Sequence, residues 1–308
     1  MRILIMGSGG LGAYYGGLLA QQGHEVIFVA RGAHLDAIRA SGLHVKSIFG
    51  DFDIVPARAV ADPAEAGPVE FILFSTKNYD TETAARAIHS AVGPATTVLS
   101  LQNGIDAAER IGAEIGMEHM LAGASWISSA VIAPGVIRHI SQFRRIVMGE
   151  LDGSRSARLD AIYEALKATG ATVELSDDIR KVLWTKFVFI SASSSLGSLT
   201  RLPIGDYRDV AEARALMTGL MKEVEAVARA LGVRLDDDVI EKTQDFVDKS
   251  APHIKPSMQL DVESGRRTEI ESMIGVIGRK GREAGVATPI ADFVYAALLP
   301  VDRKALAV

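Results

Sequence analysis

The sequence predicts an α/β protein in which a doubly wound, mostly parallel sheet is followed by an all-helical region. Three observations predict it. A short apolar run, Arg2–Met6, feeds a glycine-rich turn and an apolar stretch closed by Gly23. Strand-like and helix-like segments then alternate to about residue 124. From about Ser176 strand-like alternation gives way to long runs of helix formers. Alternating β and α segments imply a sheet with helices on both faces, binding ligands at the carboxyl ends of its strands.

The turn reads Gly7-Ser8-Gly9-Gly10-Leu11-Gly12. Glycines at 7, 9 and 12 fit the dinucleotide fingerprint. The first makes the tight turn, the second admits backbone close to a pyrophosphate, and the third lets helix and strand pack. The phosphates then meet free N–H groups at the positive end of a helix. A bare fingerprint is weak, but this one follows a strand, opens a helix, and is followed by a second strand, Glu25–Val29. The domain is therefore read as Rossmann-type. Arg31 follows that second strand, and positions 28–33 hold no Asp or Glu. A carboxylate there would repel a 2′-phosphate, whereas a guanidinium can hold one through two parallel bonds. NADP(H) is the cofactor expected, with a solvated loop arginine as the alternative.

Further strands are expected at Val69–Ser75, Thr96–Leu101 and Met120–Ala124, and helices at Asp80–Ala91 and Ile105–Ile115. Gly135–Ile140 and Arg145–Gly149 read as antiparallel additions at one edge. Ser176-Asp177-Asp178 suits a helix N-terminus. Helices are expected over Ile179–Ser195, Val210–Leu231, Asp236–Lys249, Ser257–Gly265 and beyond, and Ile290–Leu299. The chain thus divides into an NADP-binding domain, 1–176, and a helical substrate and catalytic domain, 177–308, with the active site in the cleft between them.

Composition excludes several classes. At 308 residues, 48% hydrophobic and 23% charged, the chain reads as an ordinary globular protein. A net charge of −5 gives no basic footprint for nucleic acid. The absence of cysteine removes disulfides, thiolate catalysis and cysteine-held metal. The seven histidines show no HExxH spacing or cluster, so no metal is expected. The first strand starts at the N-terminus with no signal-peptide pattern, and no uninterrupted apolar run looks long enough for a bilayer. A cytoplasmic protein without a membrane partner is expected.

Four places could carry chemistry. Lys77 and Asn103 follow the third and fourth strands, at the edge where a cofactor passes; solvated loop residues are the alternative. Lys186 is the lone charge between Val182 and Leu196, with Ile190 and Ser194 four and eight residues on along the same helix face. A lysine on such a surface can become a proton donor near neutral pH, or can snorkel with its ammonium in water. Ser257, Asp261, Gly265 and Glu269 also step by four. In a helix Gly265 would cost about 1 kcal/mol relative to alanine, suggesting close backbone approach. Arg266 and Arg267 make a solvated face the alternative. Ser191-Ala-Ser-Ser-Ser195 lacks a nucleophile elbow and reads as a tightly packed helix surface.

Taken together, Gly7-x-Gly9-x-x-Gly12, Arg31, Lys77, Leu101-Gln-Asn103-Gly104, Lys186 and Ser257-x-x-x-Asp261 followed by Arg267-Thr-Glu269 resemble the ketopantoate reductase (2-dehydropantoate 2-reductase) family over nearly the whole chain. The resemblance implies NADPH-dependent reduction of the C2 ketone of ketopantoate to D-pantoate, in pantothenate biosynthesis. It implies Lys186 as general acid and Glu269 as the group that orients it or the cofactor. It also implies Asn103 on the nicotinamide side, Ser257 at the substrate and Lys77 at the cofactor, with Ile190 and Ser194 at the substrate. The chain departs from the family where asparagines follow the lysine: Ile190, Ser194 and Ile204 stand in their place. That loss of hydrogen-bond partners puts the substrate in doubt more than the reaction. The alternatives are a related NADP-dependent hydroxyacid dehydrogenase with a less polar substrate, and a non-catalytic NADP(H) sensor. A homodimer is the assembly entertained.

Overall fold

Strands covered on both faces need apolar side chains on both, so they read as continuous apolar runs rather than as alternation. The first strand, β1 (Arg2–Met6), is such a run, buried from Ile3 onward. The computed structural model describes residues 1–306. After β1 come α1 (Gly10–Gln21), β2 (Glu25–Val29), α2 (Gly32–Ser41), β3 (Leu43–Ser47), β4 (Phe52–Ile54), β5 (Arg58–Val60) and β6 (Val69–Phe74). These lead to α3 (Thr81–Ala87), β7 (Val92–Ser100), α4 (Ala107–Ile115), β8 (Met120–Ala133), β9 (Val136–Gly149), α5 (Ala157–Ala168) and β10 (Thr172–Leu175). All ten strands join one sheet in the order β4-β3-β9-β8-β7-β6-β1-β2-β5, with β10 on β9.

The helical part contains α6 (Ile179–Thr200), α7 (Ile204–Tyr207), α8 (Ala211–Ala230), α9 (Val239–Lys249), α10 (Ser257–Glu263), α11 (Val276–Ala284) and α12 (Pro289–Leu306). A π-helical turn, Glu271–Gly275, runs into α11. The chain folds as two compact units. The first holds Met1–Gln102 and Asp106–Ile179; the second runs from Arg180 on and takes in Asn103–Ile105. Each has its own apolar core. Ile5, Phe28, Phe71 and Leu99 lie in the first, and Phe187, Leu220, Val224 and Ile274 in the second.

In the first unit, α1 lies close on the strands because its inner face is glycine. A Cβ on Gly12 would stand 2.2 Å from the Gly7 carbonyl oxygen, and one on Gly16 2.7 Å from Ile5 and Phe28. The strands at 120–149 differ from the sequence expectation. Met120–Ala124 is only the start of the 14-residue β8, and the two expected edge additions are one 14-residue strand, β9. β9 does pair antiparallel with β8, but it lies inside the sheet, parallel to β3 on its other side. The outer half of β8 is largely exposed although it carries Ile127, Val131 and Ile132, and that of β9 mixes apolar residues with Arg138, His139, Ser141 and Gln142, so neither shows a clean period-2 signal while the backbone pairing continues.

In the second unit α6 supplies the spine. Arg201, at φ 60, and Pro203 end it. At 22 residues and a mean hydropathy of 1.2 over its most apolar stretch, α6 is long and apolar enough by length and composition to cross a membrane, although Lys186 interrupts its apolar run. Its apolarity serves the core, since 61% of that stretch is buried inside the protein. Within the serine run, buried hydroxyls bond back to the helix's own carbonyls. Ser191 Oγ donates to the Phe187 carbonyl at 2.6 Å and Ser195 Oγ to that of Ser191 at 2.7 Å.

Candidate functional site

In the first unit the chemistry gathers at the end of β1. Gly7 takes φ +98, a left-handed turn that a side chain would strain. Ser8 N–H donates to Val29 O at 3.1 Å, fastening the turn to the end of β2. Ser75 Oγ donates to the Gly7 carbonyl at 2.9 Å. His34 braces the turn from α2: Gly135 N–H donates to its Nδ1 at 3.0 Å, so its Nε2–H donates to Ser8 O at 2.9 Å. Gly10 has a reason that the fingerprint does not contain. A Cβ there would lie 2.3 Å from the Ser129 carbonyl oxygen of β8.

Two features leave this turn open toward a ligand. No side chain caps the start of α1, and a Cβ on Gly9 would meet nothing within 4 Å. Ser8 Oγ is buried without a hydrogen-bond partner. An uncapped helix start, free space over Gly9 and an unsatisfied buried hydroxyl fit an anionic pyrophosphate. Arg31, exposed at the end of β2, makes no ion pair among the described residues. Lys77 is half-buried before the 3₁₀ turn Asn78–Asp80. Gln102 secures this end of the sheet, donating to Thr76 O at 3.0 Å and Thr81 Oγ1 at 2.9 Å. The sequence gives no signal for His34, which carries no motif; Gln102 lies inside the Leu101-Gln-Asn103-Gly104 motif, but its bracing partners, Thr76 and Thr81, are distant in the chain.

The second unit holds the lysine. Lys186 lies near the middle of α6 and is half-buried. Its Nζ donates to Asn103 Oδ1 at 2.9 Å. Burial pushes its ammonium down from the ordinary 10.5 to about 8, against the opposing pull of the Glu269 carboxylate. Glu269 is 7% exposed and lies just before the π-helical turn, its carbonyl accepting from Met273 N–H at 2.9 Å. Lys186, Asn103 and Glu269 are thus brought into one electrostatic group, and Ile190 and Ser194 follow on α6. Ile190 packs half-buried against the core and Ser194 is buried. Ile204 lies inside the core itself, at the start of α7.

The expectation for 257–269 is corrected. Ser257 begins α10 and is exposed, but that helix stops at Glu263. Gly265 takes φ +62 in the turn that follows, and a Cβ there would meet nothing. It permits a reversal of the chain rather than a close approach inside a helix. Ser257, Asp261, Gly265 and Glu269 therefore do not share one helical face. The close approach lies elsewhere: a Cβ on Gly197 of α6 would stand 2.3 Å from Gln259 Oε1 of α10. Gln259 is fully buried and donates from Nε2 to Leu202 O at 3.1 Å, locking α10 onto the end of α6.

The glycine turn of the first unit and the partly desolvated lysine of the second each suit a nicotinamide-dependent oxidoreductase. Residues 3–153 match the family model of ketopantoate reductase PanE/ApbA, and 178–302 match that of its C-terminal domain. The chain belongs to the ketopantoate reductase family and is an NADP-dependent oxidoreductase. It is 30% identical to a 2-dehydropantoate 2-reductase of Mesorhizobium japonicum, covering 98% of this chain and 99% of that one. An uncharacterized oxidoreductase of Bacillus subtilis, YkpB, is 29% identical over 97% of this chain and 98% of its own. Among solved structures, a PanE/ApbA family ketopantoate reductase of Ralstonia eutropha superposes with a TM-score of 0.92 at 32% identity, covering 99% of this chain and all of that one.

Proposed function

We propose that this protein reduces the C2 ketone of a 2-oxoacid with NADPH, that 2-dehydropantoate is the substrate and D-pantoate the product, and that it works in pantothenate biosynthesis in the cytoplasm. The observation that carries the reading is the Lys186 amine, with its proton affinity lowered to about 8 by burial and an acceptor at Asn103 Oδ1. An ammonium with that affinity is charged at neutral pH yet releases a proton readily.

Bound NADPH supplies the hydride to the ketone carbon. As the carbonyl π electrons move onto oxygen, Lys186 neutralises the growing charge and gives up its proton, leaving a neutral amine and an alcohol. Glu269 keeps Lys186 charged before the reaction, and Asn103 fixes its direction while lying on the nicotinamide side. Gly7, Ser8, Gly9, Gly10, Leu11 and Gly12 would hold the pyrophosphate and Arg31 the 2′-phosphate, and Lys77 would contact the cofactor. Ser257 holds the substrate, with Ile190 and Ser194 bordering it.

A second reading keeps the reaction and changes the acid. Ile190 stands one turn along α6 from Lys186, where the family carries an asparagine, and that loss of a hydrogen-bond partner supports a less polar 2-oxoacid. The homodimer is retained in the proposal, and light scattering that returned a monomer mass would remove it. NADPH oxidation assayed with 2-dehydropantoate beside branched 2-oxoacids and 3-oxoacids tests the substrate. The first reading expects the highest kcat/KM with 2-dehydropantoate; its failure beside brisk turnover of another acid would leave the second.

A further inference from the structure

The stretch before Glu269 is tied at its start to α10, where Arg266 N–H donates to Asp261 O at 2.9 Å and its guanidinium to Asp261 Oδ1 at 3.0 Å. The turn through Ser264 and Gly265 precedes Glu269 with two exposed arginines, Arg266 and Arg267, and the π-helical turn begins only at Glu271. At its end Thr268, the residue before Glu269, is held by a residue 34 positions away. Asp302, on α12, accepts at one oxygen from both Thr268 N–H at 2.6 Å and Thr268 Oγ1 at 2.7 Å. Asp302 is 8% exposed and Thr268 5%, and Asp302 forms no ion pair among the described residues.

A buried carboxylate without a cation is costly unless its hydrogen bonds are made. Here both bonds go to the one residue that precedes Glu269. The backbone N–H and the hydroxyl of Thr268 are fixed by a single atom, so the peptide leading into Glu269 has one orientation. The Glu269 carbonyl is in turn fixed by Ser272 N–H at 3.1 Å and Met273 N–H at 2.9 Å. Its backbone is therefore pinned on both sides, from α12 before it and from the π-helical turn after it. A π-helical turn next to such a site is itself a common mark of function.

We propose that Asp302 is a positioning residue: through Thr268 it aims the Glu269 carboxylate at Lys186. The inference rests on the roles proposed above for Glu269 and Lys186. Glu269 is the charged group that acts on Lys186, and it favours the ammonium. Releasing Thr268 lets that carboxylate drift, and the amine then loses its proton at lower pH.

The test compares Asp302→Ala, Asp302→Asn and Glu269→Gln by kcat, KM, NADPH affinity and the pH dependence of kcat. Asp302→Ala should lower kcat roughly 10- to 100-fold, as misplacement by about an ångström does. Its alkaline limb should move to lower pH in the same direction as that of Glu269→Gln, with NADPH affinity unchanged. Asp302→Asn keeps an oxygen that can accept both bonds and should restore kcat and the limb. If Asp302→Ala does not fold, Thr268→Val removes one of the two bonds and should move the limb the same way. An unmoved limb in these variants, or Asp302→Asn no better than Asp302→Ala, beside an impaired Glu269→Gln, overturns the positioning role and leaves the proposed reaction standing. Wild-type kcat and pH profile in Glu269→Gln overturn both.

Discussion

Lys186 Nζ donates to Asn103 Oδ1 at 2.9 Å, joining residues 83 positions apart in the chain. The acceptor is a neutral amide, so it orients the ammonium without neutralising it. Asn103→Asp would place a negative charge at that distance and favour the protonated amine. Its alkaline limb in the reductive direction should move up by about one pH unit or more. A limb that stays in place would separate Asn103 from the titration of Lys186.

The same lysine destabilises the fold at neutral pH. Its folded proton affinity, about 8, lies below the unfolded value of 10.5. Between those values the unfolded chain binds more protons, so stability rises with pH through that window and the cost is fully present below about 8. Lys186→Met should raise stability at pH 7 by on the order of 2–3 kcal/mol before repacking is counted. The gain should shrink as pH rises toward 10.5. Urea titrations at pH 7 and 10 check this, and a gain that is independent of pH would contradict the desolvation account.

Gly9 and Gly12 separate ligand binding from folding. Gly9 has an ordinary φ of −75 and open space where a Cβ would go. Gly9→Ala should keep the wild-type Tm and weaken NADPH about tenfold or more, through loss of close backbone approach. In Gly12→Ala the methyl would meet the Gly7 carbonyl oxygen at 2.2 Å and Ser75 Oγ at 2.3 Å. That variant should lose on the order of 1–3 kcal/mol of stability through overpacking. Thermal melts and NADPH titrations of both decide; a Gly9→Ala variant with unchanged affinity would move the pyrophosphate away from this turn.

Arg31 stands exposed at the end of β2, free to meet a phosphate. Arg31→Asp should shift the NADPH-to-NADH preference roughly 10- to 150-fold toward NADH, the range expected for losing one charge-assisted hydrogen bond. Equal preference ratios in wild type and variant would take the 2′-phosphate elsewhere.

The glycine turn was legible because each of its residues answers a local requirement: a left-handed φ at Gly7, space at Gly9 and helix packing at Gly12. Lys186 was legible as a charge isolated in an apolar segment. What was not legible was set by distant partners. Gly10 is a glycine because of Ser129, and Thr268 is held by Asp302. The four-residue spacing from Ser257 to Glu269 misled because such spacing arises equally from a helix and from a helix followed by a turn, and only the left-handed Gly265 distinguishes them. The length of β8 and β9 escaped because their exposed halves lack a clean alternation of apolar and polar residues, Ala130–Ala133 being apolar throughout and yet exposed.

The steady-state turnover of Lys186→Ala, measured with the preferred 2-oxoacid beside NADPH affinity by fluorescence titration, tests the proton-donor role most directly. The predicted result is a kcat lower by about 10²–10⁴-fold with NADPH binding unchanged. Turnover within a few-fold of wild type would contradict it.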